Sequence, residues 1–264
     1  MGPNESVYTF GDGSPAAHRL ALLSATFDPS SQALLRRAAE PRPALAVDLG
    51  CGPGHTTRLL AASTGASRTV GLDASVSFVD RARDEYGPTL EFAVHDVTRT
   101  PFPTPPADLL FARFVLAHLP APAAVVGAWC SQLATGGRLV TEETERIDTT
   151  VAIFALYEAT VSAMVAHHGA DLYAGSTTRD LPAPPHLAVV LSESVEVRPP
   201  TAVVARMFSL NLATWRNDPF VVEQVPTDHI ERIARGLAEL EDSDAADELT
   251  FLTRQVIFER VSRA

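Results

Sequence analysis

The stretch Val47-Asp48-Leu49-Gly50-Cys51-Gly52-Pro53-Gly54-His55 alternates glycine through one tight connection, with an acid before it. Glycine at such spacing lets backbone turn sharply and lets a ligand approach without meeting a Cβ. A dinucleotide motif G-x-G-x-x-G starting at Gly50 requires glycine at position 55, where the chain has His55. Pro53 also removes an amide that a pyrophosphate would use, so a ligand without phosphates fits this loop better. A bare turn is the alternative, but three alternating glycines exceed what a turn requires. Two more acids stand where a nucleoside would want them. In Gly71-Leu72-Asp73-Ala74-Ser75, Asp73 can accept both hydroxyls of a ribose, and it can equally cap the next helix. In Val94-His95-Asp96-Val97, Asp96 can accept from an exocyclic amino group, or it is simply a solvated loop acid.

These residues need strands that end together. Leu45 to Gly50 is a short apolar run, as expected of a strand buried on both faces. Helical spacing follows from His55 to Ala62, a strand over Thr69 to Leu72, a helix over Val76 to Tyr86, and a strand over Leu90 to Val94. Ala107 to Phe114 reads as a fourth strand, Ala121 to Leu133 as a helix and Arg138 to Glu142 as a fifth strand. This alternation predicts βαβ units and a parallel, doubly wound sheet. Ahead of it, two helical stretches are expected, broken at Asp28-Pro29-Ser30 with Ser30 capping the second. Behind it come a long helix over Thr149 to His168, a loop over Asp171 to His186 and a strand over Leu191 to Arg198. Helices over Val203 to Trp215 and His229 to Leu240 and a last strand over Thr253 to Arg260 complete the reading. The expected class is α/β, a Rossmann-like doubly wound seven-stranded sheet with a helical cap and insertions over the C-terminal strand ends. Residues 1–43 are expected as an N-terminal helical cap and 44–264 as the core, with a lid insertion around 149–186.

The 264 residues, 46% apolar and 20% charged, suit a globular chain with a substantial core. The net charge is −11, and every one of the 21 basic residues is Arg. An acidic chain repels phosphate backbones, so a nucleic-acid partner is not expected. No apolar run approaches a membrane span, and the polar start lacks a signal-peptide core. Two cysteines, Cys51 and Cys130, suit a reducing, cytoplasmic setting and lack metal-ligand spacing.

VDLGCGPGHTT, GLDAS, HDVT, Asp108 to Phe114 and LATGGRLV together resemble the class I S-adenosylmethionine-dependent methyltransferases, over roughly Leu45 to Glu143. The resemblance implies S-adenosyl-L-methionine as cofactor. Gly50, Gly52 and Gly54 would line its methionine part, Asp73 would bind the ribose with Ala74 beside the adenine, and Asp96 and the Val97 amide would read the adenine. Asp48 would support the loop or the cofactor's amino group. Arg113 and Phe114 lie where the family holds that group through backbone. Arg19, in Ala17-His18-Arg19-Leu20, resembles the cap Arg that neutralises the cofactor carboxylate.

The implied activity is methyl transfer to a small, apolar or aromatic secondary metabolite, as in natural product biosynthesis. The family methylates O, N and C on one core, which leaves the acceptor atom open. A non-methylating cyclase on the same fold is the other enzymatic reading. Tyr157, Val161, Met164 and His168 share one helical face, so Tyr157 and His168 are candidate pocket groups, unless that face is core or a homodimer contact. His118, just after the fourth strand, is the third catalytic candidate. His167-His168 with Asp171 is rejected as a metal site, because adjacent helical residues diverge and no third ligand follows. The aromatic and aliphatic cap residues Tyr8, Phe10, Phe154, Tyr157, Met164, Phe208 and Trp215 point to an apolar, aromatic or polyketide-like acceptor.

Overall fold

The computed structural model describes residues 12–180, 186–243 and 248–261; Tyr8, Phe10 and the first eleven residues of the expected cap lie outside them. Among the described residues, β1 (Leu45–Leu49), β2 (Arg68–Asp73), β3 (Glu91–Val94), β4 (Ala107–Arg113), β5 (Leu133–Thr149), β6 (Leu187–Val197) and β7 (Leu249–Arg260) form one sheet in the order β3-β2-β1-β4-β5-β7-β6. β1 is buried at every position, which is why it reads as an unbroken apolar run. The strands β3 to β5 are parallel. The parallel pairing expected from the alternation holds across these five strands, and beyond them β7 pairs antiparallel with both β5 and β6.

That antiparallel pairing also lengthens β5. The expected strand stops at Glu142, where polar residues begin, but β5 continues to Thr149 because its register with β7 runs from Arg138↔Glu259 to Thr149↔Leu249. Thr149 therefore ends a strand instead of starting a helix, and its hydroxyl accepts the Val151 amide at 3.1 Å ahead of α5 (Ala152–His167). β6 and β7 likewise begin four residues before their expected starts, at Leu187 and Leu249.

The core helices follow the local signals. α2 (His55–Thr64) starts after Gly54, at φ 92°, and stops at Gly65, at φ 62°. Ser75 caps α3 (Val76–Tyr86), accepting from the Phe78 amide at 3.1 Å. α4 (Pro122–Cys130) opens on proline.

At the front of the chain the expected break is absent. α1 runs unbroken over Ser14–Ala38 with Pro29 inside it. A proline there forfeits one helical hydrogen bond. The bonds that Asp28, Ser30 and Ser31 make to the sheet, described below, hold the helix across it.

A second group of helices comes from α1 and two insertions. α5 and α6 (Ala174–Asp180) lie between β5 and β6, and α6 corrects the expected loop. α7 (Thr201–Trp215), α8 (Pro219–Gln224) and α9 (Thr227–Glu241) lie between β6 and β7. Phe27, Phe154, Tyr157, Phe208, Trp215 and Ile233 pack with their neighbours into a second apolar core, separate from the one against the sheet. Burying side chains the size of Phe154 and Trp215 stabilises by roughly 1.5–3 kcal/mol each. No helix among the described residues is long and apolar enough to cross a membrane.

Candidate active site

The glycine loop leaves β1 with Gly50, Gly52 and Gly54 at φ 69°, 52° and 92°, all in the left-handed region. The three face different neighbours. A Cβ on Gly50 would stand 2.7 Å from Val115 Cγ2, and one on Gly54 would crowd Tyr86, Ala82 and Phe92 at 2.9–3.1 Å. A Cβ on Gly52 would meet only Leu20 Cδ1 of α1, at 3.4 Å. Packing against α3 and β3 therefore already requires glycine at 54. Gly52 is the glycine that faces the space between the loop and α1.

The acids brace this loop. Asp48 is buried under it, and its Oδ2 accepts from the hydroxyls of Thr56 (2.6 Å) and Thr57 (2.7 Å). Burial pushes its carboxyl up to about 6. It supports the loop from below; both of its hydroxyl partners belong to α2. Asp73 Oδ2 accepts the Gly52 amide and Oδ1 the Ser75 amide, each at 2.8 Å. Each oxygen keeps a further lone pair, and burial holds this carboxyl above its ordinary range. Ala74 beside it is exposed. Asp96 closes its own turn, accepting from the Thr98 amide (2.9 Å) and hydroxyl (2.6 Å). Val97 is buried, and its carbonyl accepts Trp129 Nε1 at 2.8 Å, which holds the loop after β3 in place.

Beyond Leu20, α1 turns Arg19, Leu23 and Phe27 into a cavity of about 110 Å³. Apolar walls come from Phe114, Val161, Leu172, Met207, Phe208 and Phe251. The polar lining is Arg19, His118, Thr144, Tyr157, Glu158 and Asn211. His118 and Tyr157 thus meet in one cavity. Burial, helped by the Arg19 charge, lowers His118 to about 4, so its imidazole is neutral at neutral pH. The Tyr157 ring stacks on Phe208 with centroids 3.9 Å apart, and its hydroxyl accepts from Trp215 Nε1 at 3.5 Å. Burial pushes the phenol up to about 12.

His168 is a correction. It caps the end of α5 outside the cavity and pairs with Asp218 at 2.9 Å, with 39% of its side chain exposed. Helical spacing aligned it with Tyr157, but the helix has ended by residue 168. His167 stacks on Phe220, so the two histidines turn to different partners. Among the described residues no group of three or more His, Cys, Asp or Glu is arranged to hold a metal.

The Arg113 side chain does not face the cavity either. It lies buried under α1, donating to Asp28 (3.1 Å), Ser31 (2.9 Å) and Ser24 (3.1 Å). Its register neighbour Glu142 accepts from Ser31, from Ser30 at 3.2 Å and from Gln255 at 2.7 Å. This buried polar network docks α1 on the sheet and so sets Arg19 and Leu20 over the site. Sequence reading missed Asn211, Glu158 and Thr144 as cavity groups. Asn211 follows Met207 by one helical turn, and that apolar-polar pairing was the available signal.

A cofactor with a nucleoside and no phosphate fits these residues: Gly52 leaves room for it, and Asp73 keeps free lone pairs beside that room. Residues 46–137 match the family described as a methyltransferase domain. A trans-aconitate 2-methyltransferase from Methylobacterium nodulans is 39% identical over 115 residues, 44% of each chain. The chain thus spans less than half the length of that relative. An N-methyltransferase from Haemonchus contortus, in complex with phosphomonomethylethanolamine and S-adenosylhomocysteine, superposes with TM-score 0.57 at 14% identity, covering 100% of this chain and 62% of that one. The cyclase SpnF superposes with TM-score 0.53, also at 14% identity, covering 89% and 81%. At such identities the likeness speaks for the fold alone, and a cyclase shares it. The glycine loop, the strand-end acids and the family match all fall within residues 46–137, and this stretch of the chain is similar to a methyltransferase domain.

Proposed function

We propose that this chain transfers the methyl group of S-adenosylmethionine to a small apolar or aromatic metabolite seated in the cavity under α1, α5 and α7. The observation that carries the reading is α1 itself. Leu20 lies over Gly52 while Arg19, Leu23 and Phe27 of the same helix line the cavity, so cofactor loop and cavity share one wall. Bound S-adenosylmethionine supplies an already activated sulfonium methyl. Gly52 would line its methionine part and Asp73 would hold the ribose, with Asp96 and Val97 beside the adenine and Arg19 toward its carboxylate. The task left to the chain is to orient a nucleophile and exclude water. The apolar walls do the second. Neutral His118 can accept a proton or hydrogen bond from an acceptor group, and the Tyr157 hydroxyl can donate one.

The relatives are named for trans-aconitate, a tricarboxylate. Among the described lining residues Arg19 is the sole cation, set against Glu158, so the cavity favours an apolar body with one or two polar groups. Its volume is of the same order as the engineered cavity of roughly 150 Å³ that binds benzene. The buried, unpaired Cys51 and Cys130 accord with a cytoplasmic setting.

The test is incubation with methyl-labelled S-adenosylmethionine and a panel of hydroxylated aromatics, aromatic amines and trans-aconitate. Label transferred to an aromatic member supports the reading. Transfer to trans-aconitate alone overturns the acceptor class, and failure to bind S-adenosylhomocysteine overturns the cofactor assignment.

A further inference from the structure

Between β4 and α4 the chain passes through Phe114 and then a short 3-10 turn, Leu116–His118. Phe114 has φ 57°, a conformation that a bulky aromatic residue adopts only when its surroundings impose it. This segment touches both halves of the site. Val115 is the residue that a Cβ on Gly50 would strike, while Phe114, Ala117 and His118 line the cavity.

What imposes the turn is a pair of adjacent β5 residues. The Phe114 amide donates to the Glu142 carbonyl at 2.9 Å. The next two amides, Val115 and Leu116, both donate to Glu143 Oε1 at 2.8 Å, and the Ala117 amide is directed at the same carboxyl. One side chain thus gathers the amides of three consecutive residues. Glu143 is fully buried, it does not line the cavity, and its Oε2 has no hydrogen-bond partner among the described residues. Burial pushes the carboxyl up to about 8, so at neutral pH it holds its proton and works as a neutral acceptor.

We propose that Glu143 is a positioning residue whose carboxyl fixes the turn 114–118, aiming Phe114 and His118 into the cavity and seating Val115 against Gly50. The inference rests on the proposed reading of the cavity for its functional meaning, but its test does not. A glutamine at this position presents the same acceptor oxygen without a charge, so Glu143→Gln should preserve the turn, whereas Glu143→Ala removes the acceptor from three buried amides.

The experiment compares wild type, Glu143→Gln and Glu143→Ala by amide hydrogen exchange and by the side-chain resonance of His118 in histidine-labelled protein, assigned by its loss in His118→Gln. S-adenosylhomocysteine is titrated into each. In wild type and Glu143→Gln, His118 should give one sharp neutral-imidazole signal and slow exchange at 115–117. In Glu143→Ala, exchange there should rise about tenfold or more and the His118 signal should broaden or split. Affinity for S-adenosylhomocysteine should hold within about threefold in Glu143→Gln and fall further than that in Glu143→Ala, where Val115 loses its seat against Gly50. If the alanine variant does not fold, Glu143→Asp, one methylene too short to reach the amides, takes its place with the same expected loss. Glutamine behaving like alanine overturns the proposal, as does an unchanged His118 signal in the shortened variants. Wild type failing to bind S-adenosylhomocysteine would instead strike the cofactor reading and leave the His118 comparison intact.

Discussion

Replacing Gly52 and Gly54 separately by alanine should produce opposite failures, although the two glycines stand two residues apart in one loop. At Gly52 the added methyl meets only Leu20 Cδ1, at 3.4 Å, an ordinary contact. The backbone, at φ 52°, charges a left-handed penalty of about 1–2 kcal/mol. For a chain of this size that lowers Tm by roughly 2–8 °C. The methyl also enters the space assigned to the cofactor, beside the amide that Asp73 holds, where overpacking of about 1–3 kcal/mol weakens binding roughly 5- to 150-fold. At Gly54 the methyl is driven toward Tyr86, Ala82 and Phe92 at 2.9–3.1 Å, on a backbone at φ 92°. Strain and overpacking then add to about 2–5 kcal/mol of folding stability, with affinity in the protein that remains folded little changed. Calorimetric titration with S-adenosylhomocysteine and thermal unfolding separate the two. Gly52→Ala with affinity within about threefold of wild type would refute the placement of the ligand over Gly52. A Gly54→Ala protein that keeps its Tm and loses affinity would show that the two roles are reversed.

Other outcomes follow from the same contacts. Asp73→Asn should weaken S-adenosylhomocysteine by about tenfold or more, through loss of charge-assisted ribose bonds worth roughly 1.5–3 kcal/mol each; unchanged titration isotherms would put the ribose elsewhere. Arg113→Met removes the buried guanidinium from Asp28, Ser24 and Ser31, while Asp28 keeps Ser24 and Arg58, and should cost about 1.5–3 kcal/mol in denaturant unfolding, with a loss under about 1 kcal/mol showing that α1 is docked by its apolar face instead. The carboxyls of Asp48 and Glu143 are raised, to about 6 and about 8, so the folded state holds both protons more tightly than the unfolded chain does. Their stabilisation is complete below the ordinary carboxylate range and is lost as pH rises through those two values. Urea midpoints measured at several pH values should therefore fall toward alkaline pH, and Glu143→Gln should flatten the upper part of that fall.

The β1–loop–α2 unit, the acids at the ends of β2 and β3 and the α/β alternation through β5 are legible from local sequence, because each rests on neighbours within a few residues. Glycine at 50, 52 and 54 is legible as a need for backbone freedom, and the apolar run Leu45 to Leu49 as a strand covered on both faces. What each glycine faces was decided by Val115, Leu20 and Tyr86, brought in from three other elements. The same holds for α1, where Pro29 reads locally as a break and is carried through by bonds to Arg113 and Glu142, some eighty to over a hundred residues away. It holds for the far half of β5, whose polar residues take strand form from β7. The cavity is the extreme case. Its walls come from α1, the turn after β4, and both insertions, and its helical-face candidate His168 was lost to Asp218, fifty residues downstream. Periodicity reports which face of an element is apolar. It does not carry the partner that face will meet, and in this protein the partners, above all Glu143 under the turn at Phe114, decide which side chains reach the site.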